Sequence, residues 1–139
     1  MNIEPILNTS RIIQIHLLFA VLGLLLGISQ LVLPKGTLRH KIIGYMFVCF
    51  LAVLSLVSFF IRELFPAMGL GAVFFGFSPI HLLSIFVLYS LIKAMSAIKQ
   101  GNVKQHEKSM KGIFFYGLIL AGTFTFFPGR LLFEVFFNT

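Results

Sequence analysis

The sequence predicts an all-α integral membrane protein, a four-helix bundle built from two parallel two-helix repeats, with both chain termini outside. Of its 139 residues, 58% are hydrophobic and 11% are charged, whereas soluble domains average about a quarter charged residues. Four apolar runs approach the roughly 20 residues that an α-helix needs to cross a bilayer. The tetrapeptide Ile-His-Leu-Leu opens two of these runs, at 15–18 and 80–83, which indicates an internal repeat within a single transmembrane domain, residues 1–139.

The first repeat covers about residues 12–62 and contains two predicted helices. The first helix is expected over 12–33, and a Pro-Lys-Gly sequence follows it. Thr37 is the expected N-cap of the second helix, which extends through 42–61. The connector, residues 63–78, is broken by glycine and proline but is too apolar for a solvated loop. We therefore expect an interfacial or partly buried segment there.

The second repeat covers about residues 79–127. Ser78 followed by proline is a helix start, because proline suits the first helical position. Asn102 is the expected N-cap of the fourth helix, which is predicted over 103–127 and is ended by Pro-Gly. Residues 128–139 form a short amphipathic tail.

Orientation follows from the distribution of basic residues, because lysine and arginine collect on the cytoplasmic side of membrane proteins. Eight basic residues flank the two short loops, and three lie on the other side. The eight are Lys35, Arg39, Lys41, Lys93, Lys99, Lys104, Lys108 and Lys111. The same rule accounts for the net charge of +7 without a nucleic-acid partner, so the expected partner of the surface is the lipid bilayer.

Four histidines occupy matching positions in the two repeats. His16 and His81 are predicted near the outer face, whereas His40 and His106 are predicted at the cytoplasmic edge, about 25 Å away at 1.5 Å per residue. Helix N-termini and apolar surroundings both favour the neutral imidazole, which is the form that ligates metals. The spacing predicts two paired sites, one per leaflet. The alternative for His16 and His81 is a hydrogen bond across helices to a serine, glutamine or carbonyl, for which Ser84 and Gln14 are available. The alternative for His40 and His106 is that they are interfacial histidines among lysines and arginines, with no ligand role.

Small residues follow His16 along one helix face, at Ala20, Gly23 and Gly27. They suit either a helix-packing seam or the space for a flat macrocycle beside an axial ligand. Cys49 lies within an apolar run and is expected to be a small core residue.

Arg130 follows the Pro-Gly sequence on the outer side. It is a candidate to bind a propionate, a quinone carbonyl or a lipid phosphate, or else to anchor the chain at the interface. The chain has no aspartate, and its four glutamates lie near helix ends. A proton pump or a carboxylate-based hydrolase is therefore not indicated.

An ordered set of motifs carries a family resemblance: His16, then Arg39-His40 with Gly44-Tyr45, then His81, then His106 with Met110-Lys111, and finally Arg130. This set resembles the bacterial predicted-membrane-protein family catalogued as domain of unknown function 2306, which implies a multi-pass protein of the bacterial inner membrane. The four-helix plan is more loosely similar to cytochrome b-561-type two-haem proteins and to haem A synthase halves. In that plan alternate helices supply the axial ligands, which here implies the pairs His16–His81 and His40–His106.

Three functions are compatible with these features. The leading hypothesis is a cytochrome-b-like electron carrier or transmembrane oxidoreductase that binds one or two b haems through paired histidines. A quinone or another membrane redox protein is then its expected partner. The second hypothesis is a cofactor-free membrane factor that assembles or binds another complex. The third is copper or zinc handling by the same histidine pairs, because imidazole suits both metals.

Overall fold

A computed structural model describes residues 2–61 and 79–137. All regular secondary structure in these ranges is helical, which confirms the predicted all-α class. The helices are α1 (Glu4–Asn8), α2 (Arg11–Val32), α3 (Leu38–Ser58), α4 (Pro79–Lys99), α5 (Val103–Gly112), a π-helical segment (Ile113–Leu120), α6 (Ala121–Phe124) and α7 (Leu131–Phe137). The predicted connector, residues 63–78, and its cap Ser78 lie outside the described residues.

Side-chain caps start the long helices where the sequence predicts them. Thr37 accepts a hydrogen bond from the backbone N–H of His40 at 3.2 Å, and Asn102 accepts one from Gln105 at 3.1 Å. Each cap satisfies a helix-terminal N–H that otherwise has no partner, which is worth about 1 kcal/mol. Gly36 and Gly101 precede these caps at φ of 79° and 74°, a left-handed conformation that glycine adopts without strain.

Within residues 2–61 and 79–137, three helices are long and apolar enough to cross a membrane: Arg11–Val32, Leu38–Ser58 and Ile80–Lys99. The fourth helical stretch, Val103–Phe124, runs without a gap through α5, the π-helical segment and α6, but the change of helix type divides it. The predicted second and fourth helices end earlier than expected, at Ser58 and Phe124. In each case a turn takes the place of the last residues that were predicted to be helical, at 59–60 in the second helix and at 125–126 in the fourth.

The long helices close a ring. Helix α2 packs against α3 and the π-helical segment, and α4 packs against α3 on one side and α5 with the π-helical segment on the other. This order places α2 opposite α4, and α3 opposite α5. The centre is filled by Phe47, Leu51, Leu54, Val87, Leu91, Ile113, Phe114 and Leu118.

The outward faces of the helices are apolar as well. Leu25, Leu56, Ile92 and Tyr116 are examples of large exposed side chains there, as expected where lipid replaces water. Cys49 is also exposed, so its prediction as a core residue is wrong. Helix α1 packs against α7, and the backbone N–H of Asn2 donates to the carbonyl of Val135 at 2.9 Å. The two ends of the chain therefore meet at the end of the bundle away from the loops at Gly36 and Gly101.

Candidate functional site

A small cavity lies inside the bundle beside His16. Its volume is about 50 Å³, and its lining combines the imidazole with three serines among aliphatic side chains. The serines are Ser55 and Ser58 from α3 and Ser84 from α4. A cavity of this size with several polar groups is suited to water. The end of the bundle away from the loops at Gly36 and Gly101, which we call the outer level, therefore has polar groups in its mostly aliphatic interior.

The serine hydroxyls join α3 to α4. Ser58 and Ser84 share a hydrogen bond between their hydroxyls, Ser58 Oγ lies 2.6 Å from the carbonyl of Ser55, and Ser84 Oγ lies 3.0 Å from the carbonyl of Ile80. Each hydroxyl has one proton, so the two protons fill at most two of these three contacts at a time. When Ser58 and Ser84 are bonded to each other, one of them donates to the other, which donates to its own carbonyl partner. Ser84, a candidate hydrogen-bond partner for His16 or His81, bonds instead to Ser58 of the neighbouring helix α3.

His16 lines this cavity, and its Nδ1 atom is buried without a hydrogen-bond partner among the described residues. His81 lies on α4 at the same level, because its neighbours Ile80 and Ser84 share the cavity with His16. The ring of His81 is 2% exposed and lies 5.6 Å from the ring of Phe59, tilted by 34°. His81 does not line the cavity. His16 and His81 thus lie at a common level along the bundle, but their rings have different surroundings.

The second pair, His40 and His106, lies at the end that carries the two glycine loops, which we call the basic end. These histidines lie near the starts of α3 and α5, which both begin at this end of the bundle. The two members of the predicted His40–His106 pair therefore lie at the same end, on different helices.

His106 is oriented by a backbone group. Its Nδ1 atom lies 2.9 Å from the carbonyl oxygen of Ala94. A carbonyl only accepts hydrogen bonds, so Nδ1 carries the proton and Nε2 of the neutral ring keeps its lone pair. This is the arrangement in which a histidine is held for metal ligation.

His40 is fixed through its backbone. Its N–H donates to Thr37, and its carbonyl accepts a hydrogen bond from the side chain of Gln30 at 3.1 Å. The Nδ1 atom of His40 is buried and has no hydrogen-bond partner among the described residues. The basic end therefore offers two positioned imidazoles with unused ring nitrogens.

The glycine face below His16 is a packing seam. A Cβ atom added at Gly27 would lie 2.5 Å from Phe114 Cδ2 and 2.9 Å from Phe47 Cε2, and one added at Gly23 would lie 3.5 Å from Leu51. The packing interpretation of this face is confirmed at Gly27, because aromatic core side chains occupy the space. With a cavity of only about 50 Å³, against roughly 300–1,000 Å³ for pockets that hold drug-sized ligands, a haem does not fit the outer level as packed.

The chemistry of the donors separates the two levels further. Within residues 2–61 and 79–137, three or more histidine, cysteine or acidic side chains nowhere gather in a way that could hold a metal ion. Each level therefore offers two imidazoles, and the levels differ in that His106 at the basic end is oriented by the Ala94 carbonyl, whereas His81 is buried beside Phe59. Arg130 lies far along the chain, between Gly129 and α7, with its side chain partly buried, and burial lowers the pKa of its guanidinium.

Sequence reasoning missed most of the buried polar side chains. Five serines in the described residues are buried: Ser55, Ser58, Ser84 and Ser90 on the apolar helices α3 and α4, and Ser109 on the more polar helix α5. The three-residue spacing of Ser55 and Ser58 places both on one face of α3, and that is the signal that could have found them.

Spanning helices around an interior with serines and histidines define a helical membrane protein. The chain belongs to the family described as predicted membrane protein, DUF2306, whose match covers residues 13–136. That range includes all four histidines and Arg130. No curated protein and no solved structure matches the chain.

Proposed function

We propose that the chain is a cytochrome-b-like electron carrier that binds one b haem at its basic end through His40 and His106. The observation that carries the proposal is that His40 and His106 lie near the starts of α3 and α5, at the same end of the bundle. The hydrogen bond from His106 Nδ1 to the Ala94 carbonyl supports it, because that bond leaves Nε2 available as a ligand atom.

The residues of the chain would do three things at this site. The Ala94 carbonyl fixes the ring plane and tautomer of His106. Thr37 and Gln30 hold the backbone of His40, so the start of α3 is anchored on both sides. The apolar faces of α3 and α4 keep bulk water from the interior. The haem, when bound, supplies reversible one-electron chemistry.

The proposal includes the membrane topology. The stretch Val103–Phe124 serves as a fourth span, which makes two hairpins of the same direction and agrees with the predicted repeat. The eight basic residues favour a cytoplasmic location for the basic end, in a bacterial inner membrane with both termini outside. A quinone or another membrane redox protein is the proposed electron partner.

A second candidate is the cofactor-free membrane factor, and the outer level favours it. His81 is almost completely buried beside Phe59, and the seam at Gly27 is filled by aromatic rings. If the basic end resembles the outer level in being closed, the four histidines are structural and the protein acts through contacts with a partner complex.

The test is the absorption spectrum of protein purified from haem-replete cells, reduced minus oxidised. Wild type is expected to show a Soret band, His40→Ala and His106→Ala are expected to lose it, and His16→Ala is the matched control that keeps it. Added imidazole should restore the band in His106→Gly, which separates ligand loss from misfolding.

The other outcomes also decide between the candidates. A colourless wild-type protein without metal overturns the haem proposal and supports the cofactor-free factor. Copper or zinc found by elemental analysis in a colourless protein, and lost in His106→Ala, supports metal handling instead. A band that survives both basic-end substitutions but disappears in His16→Ala assigns the haem to the outer level, against the packing described above.

A further inference from the structure

A surface groove runs along α4 at the basic end. Its volume is about 340 Å³, and its lining includes Tyr89, Ile92, Lys93, Ser96, Gln100 and Gln105. Four of the named residues belong to α4 and follow each other at intervals of three, one and three: Tyr89, Ile92, Lys93 and Ser96. They form one face of the helix, and Gln100 follows its last residue. From Tyr89 to Gln100 this face is about 16 Å long at 1.5 Å per residue.

The groove changes from apolar to polar along its length. Tyr89 and Ile92 lie towards the middle of the span and are 63% and 72% exposed. Ser96, Gln100 and Gln105 lie at the other end, where α4 finishes and α5 begins. A phospholipid has the same sequence of properties, an acyl chain followed by a polar headgroup.

Lys93 lies at the change from apolar to polar lining. It is six residues before the end of α4, within a span whose other charged residue is Lys99. A charged side chain within a span is costly and lies towards a polar region. The flexible stem of lysine can lie along apolar surface while its ammonium group reaches the polar end of the groove. The groove therefore has a reason to contain a cation.

The polar end is rich in hydrogen-bond donors. Gln100 donates to the hydroxyl of Ser96 at 2.9 Å, which leaves the Ser96 proton and the second amide N–H of Gln100 available. Gln105 likewise donates one N–H, to Ser109 at 2.8 Å, and keeps another. None of the described lining residues is acidic. Donors with a cation complement the oxygens of a phosphate.

The surroundings reinforce this charge. The basic end carries eight lysines and arginines, and Glu107 is already paired with Lys111 at 2.6 Å. Clusters of basic residues beside a membrane attract anionic lipids. We infer that the groove on α4 binds an anionic phospholipid, with its phosphate beside Lys93, Ser96 and Gln100 and an acyl chain along Tyr89 and Ile92.

The experiment is native mass spectrometry of the purified full-length protein, titrated separately with phosphatidylglycerol and with phosphatidylcholine. Phosphatidylglycerol is expected to bind more tightly. Lys93→Gln should lower the affinity for phosphatidylglycerol about fivefold, because a basic residue beside an anionic lipid contributes on the order of 1 kcal/mol. Lys99→Gln is the matched control: it removes the same charge from the same helix, and Lys99 does not line the groove. It should change the affinity less than twofold.

Two further arms define the ligand. Soluble glycerol phosphate should bind at least tenfold more weakly than the lipid, because it lacks the acyl chain that contacts Tyr89 and Ile92. Tyr89→Ser should weaken the binding of the lipid and leave the affinity for glycerol phosphate unchanged. Equal losses for Lys93→Gln and Lys99→Gln, equal binding of the two lipids, or a dimer that forms without lipid and is lost in Lys93→Gln would each overturn the inference. Binding of haem plays no part in any of these outcomes.

Discussion

Gly27 is the position where α2 approaches the core most closely, and Gly27→Ala should destabilise the bundle. A methyl group there would lie 2.5 Å and 2.7 Å from two ring carbons of Phe114 and 2.9 Å from Phe47. Both phenylalanines belong to the buried core, so neither ring can turn away without displacing its neighbours. Relief therefore requires α2 to move outward.

The magnitude follows from overpacking, which typically costs about 1–3 kcal/mol in a well-packed interior. Replacing glycine by alanine in a helix also brings a gain of up to about 1 kcal/mol from helix propensity. Gly112→Ala isolates that gain, because a methyl group at Gly112 meets no atom within 4 Å. We expect Gly27→Ala to be less stable than Gly112→Ala by about 1–3 kcal/mol, which is the steric cost alone.

The assay is reversible unfolding in mixed detergent micelles, with helix content followed by circular dichroism. Phe114→Leu should recover part of the loss in the Gly27→Ala background, because it removes the ring that the methyl group meets. The two substitutions are in contact and should couple by at least about 0.5 kcal/mol. Equal stability of Gly27→Ala and Gly112→Ala would show that α2 is not held against Phe114, and the packing described here would then be incorrect.

Three more predictions use the same assay. Ser58→Ala should cost about 0.6 kcal/mol, the average for a hydrogen bond between membrane helices, and the loss should shrink in a Ser84→Ala background, whereas additive losses would contradict the shared hydroxyl bond. Thr37→Ala should cost about 1 kcal/mol through the lost N-cap, and Thr37→Ser should be nearly neutral. Glu107→Gln should leave the unfolding midpoint unchanged, because its partner Lys111 and Glu107 itself are both 53% exposed; a clear shift would show that this ion pair is shielded from solvent.

Local chemistry explains what the sequence could predict of the fold. The first span, expected over 12–33, is α2 at Arg11–Val32, and the N-caps at Thr37 and Asn102 both form. A run of about 20 apolar residues and a capping side chain act within a few residues of themselves. Such signals need no knowledge of the neighbouring helices. The predictions based on them are therefore confirmed by the structure.

The face that each helix turns to the core could not be predicted in the same way. In a membrane both the lipid-facing and the core-facing sides are apolar, so hydropathy does not distinguish them. Cys49 is exposed, whereas Phe47, two residues earlier on α3, is buried. The choice depends on how closely α2 and the π-helical segment approach α3, and that is decided at Gly27 by residues distant in sequence.

The same limit applies to the histidines. Their spacing predicted two levels, and His40 and His106 do lie at the same end of the bundle, the basic end. The rotation of α2 and α4 about their own axes gives His16 and His81 different neighbours, serines for one and Phe59 for the other. Sequence spacing fixes height along a helix, but rotation is set by packing.

The π-helical segment is the point at which the fourth helical stretch departs from its counterpart α3. Buried residues on α3, such as Phe47, Leu51 and Leu54, follow intervals of three and four, as in an α-helix. In the π-helical segment each backbone hydrogen bond spans one residue more than in an α-helix, which widens the turn. The wider turn places Gly117 against Val87, where an added Cβ would lie 2.8 Å from a methyl carbon, and Gly117 lines the His16 cavity. A side chain larger than glycine at position 117 would push α4 away from the π-helical segment or fill that cavity. The polar interior beside His16 thus depends on a small residue and a local change of helix type together, which is why neither repeat symmetry nor α-helical periodicity predicted it.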